Sequence, residues 1–306
     1  MKVAITGATG FVGTGLVERL HADGHSIVVL TRNVEHAQRV FPASAWARVE
    51  LVRYTPLESG DWQKAIAGCD GVVNLAGAPI ADSRWTAERK QEILASRQIG
   101  TRKIVEAIAQ ANPKPTVLVN SSAVGYYGTS ETARFDETSA PGQDFLAEVC
   151  QAWEAEAQAV KESGTRLVII RTGIVLGMGG ALGKMLPPFQ MFAGGPIGSG
   201  RQWFSWIHRD DLVSLMVAAL TNPQMSGVYN GTAPTPVRMA EFCQALGEVI
   251  NRPSWLPVPD FALYALLGEA AEVVLQGQQV VPTRSPAAGF SYQYSTVKPA
   301  LASILK

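Results

Sequence analysis

Three glycines, Gly7, Gly10 and Gly13, stand between the apolar run Val3 to Thr6 and the amphipathic positions Leu16, Val17 and Leu20. Glycine takes turn conformations closed to other residues and lets the backbone approach a pyrophosphate. A helix starting just behind such a turn offers free N–H donors and a favourable dipole. The chemistry implied is the cradling of a dinucleotide. A second apolar run, Ile27 to Leu30, follows at the distance of a strand-helix-strand unit and ends in Thr31, Arg32 and Asn33. No carboxylate stands at that tip to accept from a ribose 2′-hydroxyl, whereas the planar guanidinium of Arg32 can pair with a 2′-phosphate. The expected cofactor is NADP(H), set against the plainer reading of Arg32 as a solvated loop residue.

These groups need a frame to hold them. Further strand-like runs lie at Val49 to Arg53, Gly71 to Leu75, Thr116 to Ser121 and Leu167 to Arg171. Helical patterns fall between them at Trp62 to Ala67, Glu88 to Gln110 and Leu146 to Glu162. Such alternation predicts an α/β fold of the Rossmann type, a doubly wound parallel sheet, with a smaller C-terminal substrate or lid region. The stretch from Gly173 to Gly200, rich in Gly and Pro, reads as a mobile or ligand-covering loop. A short strand WFSWI and helices near Arg209 to Leu220 and Val237 to Ile250 follow. The proline-rich NRPSWLPVPD then reads as a junction between a main domain, residues 1–250, and a small segment, residues 251–306. Its helix Phe261 to Leu275 has too many apolar residues to stand alone and is expected to dock on the main body.

Composition narrows the partners. The 306 residues are 47% hydrophobic and 17% charged, with 26 basic and 26 acidic side chains. No basic run suits a phosphate backbone and no stretch of 18 apolar residues suits a bilayer, so neither nucleic acid nor membrane is expected. Cys69, Cys150 and Cys243 are far apart and odd in number, without a CxxC pair, which argues against disulfides or a zinc site and suits a reducing, cytoplasmic compartment. No metal is expected. The partner is a small molecule, a nucleotide sugar or another carbonyl compound, with a homodimer as an option.

With TGATGFVG at residues 6–13, NLAGA at 74–78, SSAVGYYG at 121–128 and WFSWIHRDDL at 203–212, the chain resembles the extended short-chain dehydrogenase/reductases, which include nucleotide-sugar epimerases. Within them it is most similar to the atypical epimerase family proteins of the SulA-type, YfcH-like group, which carry an extra C-terminal domain. The resemblance implies that Gly7, Gly10 and Gly13 surround the pyrophosphate and that Thr9, Phe11 and Val12 lie along it. Thr31 and Arg32 would meet the adenosine end. Leu75, Ala76 and Gly77 would pass beneath the ribose, unless they serve only tight packing at a strand end.

The same resemblance implies a proton-transfer set: a Ser or Thr after the fifth strand, then Tyr and Lys spaced YxxxK on the next helix. Alignment on Tyr127 and Gly128 puts Ala123 at the first position, and counting on from DETSAP, residues 136–141, puts Phe145 and Val149 at the others. None of these side chains can move a proton. Candidates for displaced chemistry are Ser122 and Tyr126, whose hydroxyls lie beside the vacated position, and His208, which can exchange protons near neutrality. Each has a plainer reading: local backbone bonding for Ser122 and Tyr126, and a strand-to-helix link for His208. Asp144 reads as a helix cap, with Glu148 on the first turn. Arg84, Trp85 and Arg97 could recognise an anion or close over the cofactor, or simply edge a helix. Arg201 could meet an anionic substrate, and Trp203, Phe204 and Trp206 read mainly as packing. Two functions stay open: an NADP(H)-dependent oxidoreductase or epimerase-like enzyme with displaced acid-base groups, and a non-catalytic NADP(H)-binding sensor or regulator.

Overall fold

The computed structural model describes residues 1–306. Seven strands form one sheet: β1 (Lys2–Thr6), β2 (Ser26–Thr31), β3 (Val49–Arg53), β4 (Gly71–Asn74), β5 (Val117–Ala123), β6 (Arg166–Thr172) and β7 (Gly227–Gly231). Their spatial order is β3-β2-β1-β4-β5-β6-β7, with every neighbour parallel. Parallel neighbours need crossover connections, and helices supply them on both faces. The Phe11–Ala22 and Arg209–Thr221 helices cover one face, burying Leu16, Leu20, Leu212 and Met216 against Ile5 and Val119. The Ala87–Gln110 and Phe145–Gln158 helices cover the other, where Ile104, Ile108 and Ala157 meet Val28, Leu118 and Ile169. Double coverage explains why the strands read as continuous apolar runs. The chain winds outward from β1 to β3 and then restarts on the other side of β1 at β4, so a crevice opens at the tips of β1 and β4.

The expected alternation of strands and helices is found, with three differences. β7 escapes the sequence pattern because GVYNG is short and bounded by glycines. Residues 173–200 are largely ordered elements rather than a loop: Ile174–Leu176 is a strand paired in parallel with Trp206–His208, and Gly180–Gln190 is a helix despite Pro187 and Pro188 within it. That helix is held by Leu182, Leu186 and Phe189, buried in a third core with Trp206, Phe242, Leu246 and Leu301.

The third difference concerns the C-terminal segment. The expected single helix breaks at Gly268, whose φ of 59° is a left-handed conformation costly for other residues, giving Asp260–Leu267 and Glu272–Leu275 separated by a tight turn. Within the expected helix Phe261 is 75% exposed and Leu266 69% exposed, whereas Ala270 and Ala271 are buried, as are Val280, Ala300 and Leu301 further along. Polar clamps hold the segment. Gln279–Val280 pairs in parallel with Arg134–Phe135, and the Glu137 carboxylate accepts from the backbone N–H groups of Thr283, Arg284 and Asn230. Asp211 likewise accepts from the N–H groups of Gln293 and Tyr294.

Candidate active site

The glycine-rich turn leads from β1 into the Phe11–Ala22 helix, as its spacing implies. Gly7 has φ 69°, and a Cβ on Gly13 would lie 2.2 Å from the Gly7 carbonyl oxygen, so the turn closes only with glycine at both places. Gly10 caps the helix without a side-chain hydrogen bond, and no carboxylate sits in its first turn. The N-terminal N–H groups therefore face the β1/β4 crevice without an acidic competitor, which fits a pyrophosphate. The Thr6 hydroxyl accepts from the N–H groups of Leu75 and Ala76 at 3.1 Å each, holding that backbone beside the turn. At the tip of β2 the Thr31 hydroxyl accepts from the N–H of Asn33 at 3.2 Å, and Arg32 is exposed. The nearby Arg53 is paired with Glu35 at 3.0 Å, whereas Arg32 has no carboxylate partner and is free to meet an anion.

Beyond the crevice lies a cavity of about 620 Å³. Its floor is the end of β5 and the residues after it, Ser122 to Gly125, with Thr172 at the end of β6 and Gly173 beyond. Phe145, Val149, Cys150 and Trp153 line it from the Phe145–Gln158 helix, and the C-terminal segment closes it with Glu269, Glu272, Val273 and residues 276–278. Gly277 passes so close to Trp203 that a Cβ there would lie 2.1 Å from the Trp203 carbonyl oxygen. Of the stretch expected to cover a ligand, residues 173–200, only Gly173 and Ile174 line the cavity. Gly177, Gly179 and Gly180 pack on the Phe11 ring instead, where a Cβ on Gly177 would come within 2.8 Å.

At the helix positions that the family resemblance assigns to Tyr and Lys, Phe145 and Val149 do face the cavity. The Phe145 ring meets Trp85 edge-on at 5.1 Å, with the Lys90 ammonium 5.0 Å above it. Asp144 is the helix cap, accepting from the N–H of Ala147 at 2.9 Å, and Glu148 is exposed.

Of the three candidates for displaced chemistry, only Ser122 lines the cavity. Its hydroxyl donates to Glu154 at 2.7 Å, and Glu154 is clasped by Arg171 through two bonds of 2.8 Å. Arg171 also donates to the Tyr127 hydroxyl at 3.1 Å, which donates to Asn230 at 2.7 Å. Burial opposes the charge on Arg171, but the bonds to Glu154 outweigh it and hold the guanidinium protonated. Burial pushes the Tyr127 phenol up to about 12 and the Cys150 thiol up to about 11, so neither is a proton donor or nucleophile near neutrality. Tyr126 lies outside the cavity lining, with its ring stacked on Arg171 at 3.3 Å. His208 is also elsewhere. Its Nδ1 accepts from the Asp210 N–H at 3.1 Å, capping the Arg209–Thr221 helix, and its ring stacks on Tyr294 at 4.1 Å. The cap engages Nδ1 and the Tyr294 contact one face of the ring.

The remaining candidates divide. Arg97 lines the cavity and its Nη1 donates only to carbonyls, those of Ala78 at 3.0 Å and Ile93 at 3.2 Å. Burial lowers its pKa, and it lies 5.2 Å over the Trp153 ring, whose indole N–H is buried without an acceptor. Arg84 binds the carbonyls of Ala265 and Leu266 and so braces the C-terminal segment. Arg201 is exposed, 3.8 Å from Glu131. Trp203 lines the cavity, whereas Phe204 and Trp206 are core.

Sequence reasoning missed Glu154, Cys150, Trp153 and the whole C-terminal roof. One signal was present for Glu154. Arg171 ends the otherwise apolar strand LVIIR, and a guanidinium in a sheet covered on both faces requires a buried carboxylate.

The NAD dependent epimerase/dehydratase family matches residues 3–230, and a domain of unknown function, DUF1731, matches residues 258–304. The epimerase family protein YfhF of Bacillus subtilis is 39% identical, covering 100% of this chain and 98% of its own. The crystal structure of human epimerase family protein SDR39U1 (isoform2) with NADPH superposes with a TM-score of 0.87 at 36% identity, covering 99% of both chains. An Arabidopsis thaliana protein, the chloroplastic SDR39U1 homolog of the epimerase family, is 55% identical over 100% of this chain and 87% of its own. With such identity along its whole length and the family pattern running through residues 3–230, this chain belongs to the NAD dependent epimerase/dehydratase family and is SDR39U1-like.

Proposed function

We propose that the protein is an NADP(H)-dependent oxidoreductase, within the SulA-type, YfcH-like group, that interconverts a small carbonyl compound and its alcohol. The observation that carries the reading is the Ser122–Glu154–Arg171 array, whose Ser122 lines the same cavity as Phe145 and Val149. The human relative crystallised with NADPH and the unpaired Arg32 at the tip of β2 support NADP(H) over NAD. The nicotinamide, when bound, supplies hydride exchange.

The chain's own groups handle orientation and the proton. The Ser122 proton is committed to Glu154, so toward the cavity the hydroxyl oxygen accepts. An alcohol there donates to it, and on oxidation the alcohol proton passes to Ser122 as the Ser122 proton passes to Glu154. Reduction runs the same path backwards, from Glu154 carrying a proton taken up from water. Two hydrogen bonds from Arg171 already occupy the Glu154 carboxylate and compete for its oxygens, so slow turnover is expected. Arg97 provides the positive charge that Val149 no longer can. The three buried, unbonded thiols suit a reducing compartment such as the cytoplasm.

The test is single-turnover transfer from deuterium-labelled NADPH to a panel of carbonyl compounds. Label in a product, greatly reduced by Ser122→Ala, supports the proposal. A chain that binds NADPH but transfers no label to any compound is instead the non-catalytic sensor or regulator, the reading favoured by Phe145 and Val149 on the cavity wall.

A further inference from the structure

The charges around the cavity are one-sided. Its lining holds a single cation, Arg97, and three carboxylates, Asp144, Glu269 and Glu272. Arg97 is committed at the tip of β4, where its Nη1 donates to the Ala78 and Ile93 carbonyls and its Cζ would lie 3.0 Å from a Cβ on Gly77. That is the cofactor side. On the far side Glu269 is paired with Lys90, so the one nearby ammonium is already neutralised. Asp144 is tied to its helix N-terminus. Glu272 is half-buried and makes no side-chain hydrogen bond or ion pair, so its charge acts on whatever fills the space. Trp85, Phe145, Val149, Trp153, Ile174 and Trp203 also line the cavity, among neutral polar side chains such as Thr129, Ser205, Gln276 and Gln278.

A nucleoside diphosphate requires cationic forks or unspent backbone donors at its phosphates. No cationic side chain lines the far side. Aromatic and branched walls instead suit a compact, uncharged ligand that buries most of its surface. We infer that the cavity takes an uncharged, largely apolar carbonyl compound and rejects phosphorylated or carboxylated ones, with Glu272 as the specificity-determining residue. The carbonyl in this statement rests on the oxidoreductase reading, but the rejection of anions does not.

The experiment measures binding to the full chain loaded with NADP⁺, which reads the ternary complex without turnover. The probes are matched aryl ketones, methyl 4-acetylbenzoate and its carboxylate 4-acetylbenzoate, together with UDP-glucose. The ester is expected to bind at least about tenfold more tightly than the carboxylate, as one like charge in a partly screened site implies. UDP-glucose is expected to bind more weakly still. Glu272→Gln should narrow the gap between ester and carboxylate by about fivefold with NADP⁺ affinity unchanged, which also shows that the variant is folded. The inference is overturned if the ester binds no more tightly than its carboxylate or than UDP-glucose, or if Glu272→Gln leaves the gap intact. The two readings fail separately: an ester that binds but accepts no deuteride removes only the oxidoreductase reading, and deuteride transfer to a sugar nucleotide removes only this inference.

Discussion

The Ser122 hydroxyl donates to the Glu154 carboxylate at 2.7 Å, and that same carboxylate receives two bonds of 2.8 Å from Arg171. A residue chosen for its place beside a vacated catalytic position is thereby tied to a buried ion pair. Ser122→Ala is expected to slow hydride transfer roughly 100- to 10,000-fold, the usual contribution of a positioned proton-transfer group. The stability cost should be only about 1–2 kcal/mol, because Glu154 keeps both bonds to Arg171. Single-turnover rates beside urea unfolding of the same variant check both halves.

Removing one member of the ion pair is a different event. Arg171→Met leaves an uncompensated carboxylate at a site where Glu154 is 6% exposed, and a loss of about 3–5 kcal/mol is expected. Arg171→Met combined with Glu154→Leu should recover most of that loss. Chemical denaturation of the two variants decides, and equal instability in both would mean that packing, not charge, sets the cost.

Arg32→Ala tests the cofactor. A lost charge-assisted contact to a 2′-phosphate should raise the NADPH dissociation constant roughly 10- to 100-fold. NADH affinity should stay as it was. Calorimetry with both nucleotides gives the answer, and a parallel loss for NADH would assign Arg32 to the shared part of the dinucleotide.

His208 makes stability depend on pH. Burial lowers its pKa from the ordinary 6.5, against the opposing pull of Asp210 and Asp211 and with a smaller push from Arg209. Its Nδ1 must be unprotonated to accept from the Asp210 N–H. The folded state thus favours the neutral ring. Its contribution is complete above about 6.5, falls as the unfolded chain takes up a proton below that value, and levels off below the folded pKa. His208→Asn keeps a capping oxygen and should lose this part of the slope. Urea midpoints from pH 8 to pH 5 for the two proteins measure the difference.

The sheet and the dinucleotide turn were legible because each rests on local information. β-Branched runs, helical periods and the 7-10-13 glycine spacing all act over a few residues. Asp144 as a cap was legible for the same reason. For His208 both readings stayed open, because a histidine near an expected pocket carries no sign of which neighbour will claim its nitrogen. Residues 173–200 looked like a loop because Gly and Pro dominate the local signal, whereas burial of Leu182, Leu186 and Phe189 in a distant core holds the helix. The Glu272 wall was illegible in principle, since it is placed by contacts of residues 276–278 with Thr129, Trp203 and Ser205 that nothing near either stretch announces.

That wall sets an order of events during synthesis. Domains fold from the N-terminal end as the chain emerges, so the glycine turn and the β1/β4 crevice can form while residues 269–278 are still to be added. The nascent protein is in that interval a cofactor platform with an open top. Enclosure of the cavity comes last, when the late-emerging Gly277 slots beneath Trp203 and Glu137 fastens Thr283 and Arg284.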